Sequence, residues 1–375
     1  MRIAFVYGVM EDTNAHGKLD RRVMAALAAD HEVTVFSAAF DNPDPERIRF
    51  VRLPAPVRPL LLHFLVFHVV GLAAVTWRRL RGRGFDVIHF HDVDLLVGDV
   101  AYVHFCNRAF LDGGGIGPVR SVRQVVRWVD HQLRALLEPT VFRRAERIVV
   151  PTQGLADELS DRWGSDLADK TTVIPNFVPV EDFAATEPPD RSARTELGIP
   201  DSAFVCVFVA LGHYERKGLG ELLRAVAALD CSDVHLLVVG GSDSAMAPFR
   251  EEAGRLGLAD RLHNVETASD VRPYLWASDV FTLPSRYETF SLVAYEAAAA
   301  GLPLVATPVH GIVDILDDGV TGWQVEHDAG SIQTALARCL ADPDRLERLG
   351  RAATVRVRGF GPERFDERWR AFYAT

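Results

Sequence analysis

The stretch SRYETFSLVAYEAAAAGLP, residues 285–303, sets two glutamates, Glu288 and Glu296, into a largely apolar, alanine-rich run. The alanines read as a helix that Gly301 stops and Pro303 keeps from resuming. Just before it, DVFTLP (279–284) has the β-branched and aromatic content of a strand, and PLVATP (303–308) just after it reads the same way. A carboxylate beside a buried helix between two core strands needs a ligand or a compensating charge.

The strand–helix–strand rhythm continues outward. IAFVYG (3–8), EVTVF (32–36), DVIHFH (86–91), VAYVHF (100–105), RIVVPT (147–152) and TTVIP (171–175) alternate with longer helical patterns. The rhythm restarts after residue 200 with FVCVFVALG (204–212) and VHLLVVGG (234–241). Strands this apolar are covered on both faces, and their alternation with helices predicts parallel sheets. Between the two sets, residues 175–202 are proline-rich and mixed in charge, which reads as an interdomain connector. A chain of 375 residues is long enough for two ordinary domains. The expected fold is α/β, with two doubly wound domains facing each other across a cleft.

Composition narrows the function. The net charge of −10 argues against non-specific nucleic-acid binding. Cys106, Cys206, Cys231 and Cys339 lie far apart, so neither a disulfide framework nor a zinc site is suggested. The start, MRIAFVYG, reads as a core strand and lacks the pattern of a signal peptide, so a cytoplasmic location is expected. Only three of the 41 basic residues are lysines: Lys18, Lys170 and Lys217.

Two further segments bear on partners. Residues 57–77, VRPLLLHFLVFHVVGLAAVTW, are about long enough to span a bilayer, but Arg58, His63 and His68 interrupt them. A buried helix of the first domain is the expectation, with a membrane-surface contact as the other reading. A second helix is predicted from about Pro118 to Leu137. Val122, Val125, Val126, Val129, Leu133 and Leu136 form its apolar face, and Arg120, Arg123, Arg127 and Arg134 a basic stripe. That stripe reads either as a solvated face or as a contact for an anionic acceptor or lipid headgroup.

Several chemistries can be set aside. No G-x-G-x-x-G opens the first helix, and there is neither a Walker lysine motif nor an H-E-x-x-H. HFHDVD (89–94) offers His89 and His91 on one strand face, but without further paired ligands a structural role is favoured over a metal site. The opening stretch is more specific. Ser285 and Glu288 have capping-box spacing, and Glu296 could be a salt-bridged core residue. The same stretch lies at the carboxyl end of a strand, where open α/β sheets bind ligands. The backbone N–H groups of Phe290, Ser291 and Leu292 could receive a phosphate at the helix start. If the eight residues from Glu288 to Glu296 were helical they would rise about 12 Å, near the span from ribose to hexose across a diphosphate.

PSRYETFSLVAYEAAAAGLPLVAT resembles the E-x7-E signature of glycosyltransferase family 4, the retaining GT-B enzymes. The resemblance covers nearly the whole chain. HGKLDRRVMAALAADHEVTVF matches the family's glycine loop and first helix, ERKG its K-G turn, and HGIVDILDDGVTGWQV its closing G-G-x-x-E region. It implies an N-terminal acceptor-side domain over 1–178 and a nucleotide-sugar domain over 179–359. A last helix, about 360–375, would pack back onto the first domain.

The resemblance also implies roles. Glu296 would bind ribose hydroxyls and Glu288 those of the transferred sugar, with Thr289, Phe290, Ser291 and Leu292 lining the donor. Lys217 would neutralise the leaving diphosphate, and Gly17 would let backbone approach the phosphates. His104 matches the family's active-site histidine. Lys18, Arg123 and Arg127 are the candidate acceptor contacts. Three departures stand out. Leu211 replaces the usual arginine six residues before the lysine, leaving His213 or Arg216 to share that role. Thr289 replaces a glycine, and Asp314 shortens the usual glutamate by one carbon.

The implied reaction is metal-independent, retaining transfer of a hexosyl or N-acetylhexosaminyl group from a nucleotide diphosphate sugar, UDP- or GDP-linked, to an acceptor hydroxyl. It would need no cofactor and would serve cell-envelope glycoconjugate, polysaccharide or natural-product biosynthesis. The acceptor would be soluble or lipid-linked, and the enzyme cytoplasmic or peripheral at the inner membrane face. The competing readings are a non-catalytic nucleotide-sugar binder and another GT-B activity, phosphorylase- or epimerase-like.

Overall fold

The computed structural model describes residues 1–10, 15–82, 84–113, 122–184 and 190–374, without the side chains of residues 15, 16, 79 and 123. The chain divides into two compact units, Met1–Phe177 with Pro362–Thr375, and Val178–Gly361.

In the first unit, seven parallel strands form one sheet: β1 (Arg2–Val6), β2 (Glu32–Ser37), β3 (Ile48–Arg52), β4 (Val87–His91), β5 (Val100–Tyr102), β6 (Arg147–Val150) and β7 (Thr171–Val173). Their order is β3-β2-β1-β4-β5-β6-β7. Register is set at the centre, where Ile3 pairs with Val33 on one side and Val87 on the other. Successive residues of β1 are buried, so both faces of the strand are covered. The last helix, Pro362–Ala374, brings Phe365, Trp369, Phe372 and Tyr373 into this core. A two-pronged contact from Arg22 to Asp366, 2.8 Å for each nitrogen, pins it to the helix α1, Ala15–Leu27.

Three expectations change here. Gly17 lies inside the first turn of α1 and not in a loop. Helix α2, Leu60–Leu80, is not a buried core helix, because many of its large apolar side chains face solvent. Only part of its surface, including His63, Phe64, Phe67 and Val75, meets the protein. After the short helix α3, Asn107–Asp112, helix α4 runs Val122–Arg144, past the expected end and through Pro139. Its expected start at Pro118, with Arg120, lies outside the described residues.

The second unit repeats the plan with six parallel strands, β8 (Phe204–Val209), β9 (Val234–Val239), β10 (Leu262–Val265), β11 (Val280–Leu283), β12 (Leu304–Ala306) and β13 (Gly322–Gln324). Their order is β10-β9-β8-β11-β12-β13. Both sheets therefore reverse direction of growth beside their first strand, the arrangement that opens a ligand crevice at the strands' carboxyl ends. The connector is more structured than its composition suggests. Arg194 is fully buried and donates to the carbonyls of Ala277, Asp201 and Ala203 and to Asp279 Oδ2 at 2.8 Å. From Val178 on, it belongs to the second unit.

Candidate active site

Three loops of the second unit meet at the carboxyl ends of β8, β11 and β12. The first holds the short helix α5, Tyr214–Lys217, between His213 and Gly218, both in the left-handed region. Gly218, φ 83°, is required twice over. A Cβ there would collide with the carbonyl of Pro284, just past the end of β11. Gly311, φ 79°, in the third loop would likewise collide with the backbone of Phe290. The glycines thus let the K-G turn and the HGIVD loop close on the stretch 284–291.

Glu288 is buried, and its Oε1 accepts from Lys217 Nζ at 2.7 Å and from Ser285 Oγ at 2.9 Å, with Arg216 Nη1 at 3.4 Å. Arg216 also donates to the carbonyl of Tyr287. Burial pushes the Glu288 carboxyl up, but the charges of Lys217 and Arg216 and the hydrogen bonds outweigh it and hold the group below its usual range. The capping-box reading is corrected. Residues 285–291 are not helical, so Ser285 and Glu288 bond to each other and cap nothing.

The helix itself, α6 being Leu219–Ala227 and this one α7, runs Leu292–Ala299. Only half of the eight-residue interval from Glu288 to Glu296 is therefore helical, and the 12 Å rise does not apply. Ser291 precedes α7 at φ 65°, an unusual conformation for a side chain with a Cβ. Its Oγ is buried without a hydrogen-bond partner, and so is Arg216 Nε. Phe290 does not line open space with its ring, which is buried and stacked on Tyr295 at 4.3 Å. Tyr295 donates to the carbonyl of Gly311 at 2.8 Å. That stack fixes where α7 starts. The N–H groups of Leu292 and Val293 have no intrahelical acceptors, while that of Ala294 donates to the carbonyl of Ser291 at 2.9 Å. Thr289 is half-buried beside Glu288, and Glu296 is half-buried one turn into α7.

Leu211, where the resemblance expects arginine, is 75% exposed. Arg216, and not the exposed His213, is the second cation brought to Glu288. Asp314 lies in the third loop, its carboxyl pushed up by burial against the pull of Arg356 and His310.

The remaining candidates lie in the first unit. His104 is buried just beyond β5. Its N–H donates to Asp92 Oδ1 at 2.7 Å, and its Nε2 lies 3.2 Å from Asn176 Oδ1. It stacks at 4.8 Å on His91, which sits between Asp20 Oδ2 at 3.2 Å and Asp92 Oδ2 at 3.5 Å. Burial alone would lower the His91 pKa, but these carboxylates raise it to about 9. Asp20 and Asn176 went unread in the sequence because each meets the cluster only through tertiary packing. His89 instead bonds Tyr373 Oη at 2.7 Å. Among the described residues no three histidine, cysteine or acidic side chains gather as a metal site. Lys18 and Arg127 are exposed, on α1 and α4, while the Arg123 side chain lies outside the described residues. Arg134 leaves the expected stripe, being held by Asp130 at 3.0 Å and Asp94 at 3.7 Å and lying over Phe64 at 4.2 Å.

Residues 21–182 match Glycosyltransferase Family 4, and residues 203–342 match Glycosyl transferases group 1. The two matches place a glycosyltransferase family 4 domain in the first unit and a group 1 glycosyl transferase domain in the second. The chain is 35% identical over 243 residues to D-inositol 3-phosphate glycosyltransferase 2 of Catenulispora acidiphila, covering 61% of this chain and 56% of the relative. It is 35% identical over 259 residues to the D-inositol 3-phosphate glycosyltransferase of Actinosynnema mirum, covering 65% and 61%. The match thus spans little more than half the length of these relatives. Sucrose-phosphate synthase from Thermosynechococcus elongatus superimposes with a TM-score of 0.78 at 23% identity, covering 100% of this chain and 98% of that one. Anabaena HepE, solved in complex with UDP and glucose, gives 0.74 at 17%, covering 100% and 99%. These structures show that the chain has the GT-B fold, with two Rossmann-like units.

Proposed function

We propose that the protein is a retaining glycosyltransferase that moves a hexosyl or N-acetylhexosaminyl group from a nucleotide diphosphate sugar to an acceptor hydroxyl. The observation that carries this reading is the convergence of Lys217 and Arg216 on Glu288 just ahead of α7. The buried, partnerless Ser291 Oγ lies at the same helix start. Two cations, free helix N–H groups and an orphaned hydroxyl suit a diphosphate, and carboxylates on either side of the helix start suit sugar hydroxyls.

In this reading Glu296 takes the ribose and Glu288 the transferred sugar. The bond from the anomeric carbon to the diphosphate oxygen breaks as the acceptor oxygen attacks on the same face. The acceptor's proton passes to the leaving phosphate. Charge grows on that phosphate, where Lys217, Arg216 and the start of α7 stabilise it without a metal ion. His104 would act near the donor sugar. The donor is UDP- or GDP-linked, a choice supported by HepE having been solved with UDP and glucose. The relatives' names make a phosphorylated cyclitol the first acceptor to try. Four free cysteines suit a reducing cytoplasm.

The test is incubation with UDP-, GDP-, ADP- and dTDP-sugars, with and without inositol phosphate, reading nucleoside diphosphate release and product mass. Exposed Leu211 favours one second reading, a binder without turnover. Tight donor binding with no diphosphate released from any donor would select it.

A further inference from the structure

Helix α2 is apolar all round, yet it is only half covered by protein. Its exposed side chains, Leu62, Leu65, Val69, Leu72, Trp77 and Leu80, recur at helical spacing along one stripe, from 37% exposed at Leu72 to 82% at Leu80. The opposite face, with Phe64, Phe67 and Val75, is buried. A helix that meets its own protein on one side normally turns polar on the other. Here the second face is as apolar as the first, and among the described residues α2 alone is long and apolar enough to cross a membrane.

Topology decides against crossing. α2 connects β3 to β4, and both strands lie parallel in one sheet, with β2 and β1 between them. A spanning helix would leave its two flanking strands on opposite sides of a bilayer. The exposed stripe must therefore be met from the side.

Charge says by what. Between residues 47 and 85 there are eight arginines and no acidic residue, in a chain whose net charge is −10. Arg58 stands exposed just before α2, and Arg81 just after it lies over Trp77 at 4.2 Å. Arginine at both ends of an apolar stripe, with a tryptophan at one boundary, matches the layered polarity of a lipid interface. A second copy docked on this face would set the arginines of 47–85 against their own charge, which favours lipid phosphate as the partner.

We infer that α2 lies flat in the surface of an anionic membrane, its Leu62–Leu80 stripe in the acyl boundary and the flanking arginines on lipid phosphates. The contact rests on no assignment of donor or acceptor. It is independent of the expected stripe on α4, of which Arg134 is held by Asp94 and Asp130 while Arg127 stays exposed.

The full chain is to be sedimented with vesicles of phosphatidylcholine alone and with one-third phosphatidylglycerol. Binding to the anionic vesicles only, weakened by salt, is expected. Leu65→Glu with Val69→Glu, on the exposed stripe, should abolish it with unchanged circular dichroism and Tm. Arg58→Glu should lower partitioning about fivefold or more. Wild-type protein that stays in solution at low salt, or a double variant that still binds, overturns the inference. So does a wild-type dimer that the double variant converts to a monomer, since the stripe would then belong to a second copy.

Discussion

Lys217 Nζ and Glu288 Oε1 lie 2.7 Å apart, so the ammonium assigned to the diphosphate is held by the carboxylate assigned to the sugar. Glu288 is thereby kept ionised and Lys217 is held in place before any donor arrives. A diphosphate entering there meets a cation already placed and partly desolvated, which costs little reorganisation in the reaction.

Lys217→Ala is expected to lower kcat by about 100-fold or more, the usual scale for losing a donor to a developing anion. Lys170→Ala is the control. Lys170 donates to the carbonyls of Arg143 and Ala145, at 2.8 Å each, closing the end of α4. Its loss should cost stability, at about 1 kcal/mol, and leave kcat alone. Equal turnover in the two variants would remove Lys217 from the chemistry.

Glu296→Ala should weaken nucleotide binding by tenfold or more, since each hydrogen bond to a charged group contributes about 1.5–3 kcal/mol. Glu296 is half-buried on α7, so the fold should survive. Calorimetry on a folded variant with unchanged affinity would show that the ribose sits elsewhere.

Chelation should not abolish transfer. Lys217, Arg216 and the α7 N-terminus together supply the positive charge that a leaving diphosphate needs. Activity lost in EDTA and restored by magnesium would contradict this.

The first unit should lose stability on the alkaline side. His91 titrates near 9 in the fold against about 6.5 for an unperturbed histidine. A raised pKa stabilises fully below the unfolded value and is lost as pH climbs through the folded one, here between about 6.5 and 9. Glu138, raised to about 7 by burial, shifts in the same sense but is spent by then. Tm should therefore fall between pH 7.5 and 9.5, and His91→Asn should flatten that slope. An identical slope in the variant would assign the titration to another group.

The inner strands were readable because burial on both faces leaves an unbroken apolar run, as in VHLLVV of β9. β3, β10 and β13 were not. They lie at or next to sheet edges, and IRFVR of β3 alternates toward solvent with too few apolar residues to stand out. The candidate site shows the same division. The residue types and their spacing in RKG and E-x7-E were legible, but not the pairing of Lys217 with Glu288, which needs β8 and β11 side by side.

The sequence by itself determined two parallel α/β units, the K-G turn and the two glutamates, because periodicity, glycine positions and residue chemistry are local properties. Only the tertiary structure decided where α7 begins, since the Phe290–Tyr295 stack and the Gly311 contact join segments separate in the chain. It alone decided that Arg134 is neutralised and that α2 is half exposed. An all-apolar helix carries no 3.6-residue signal, so its composition cannot say which face meets protein and which is left for another partner.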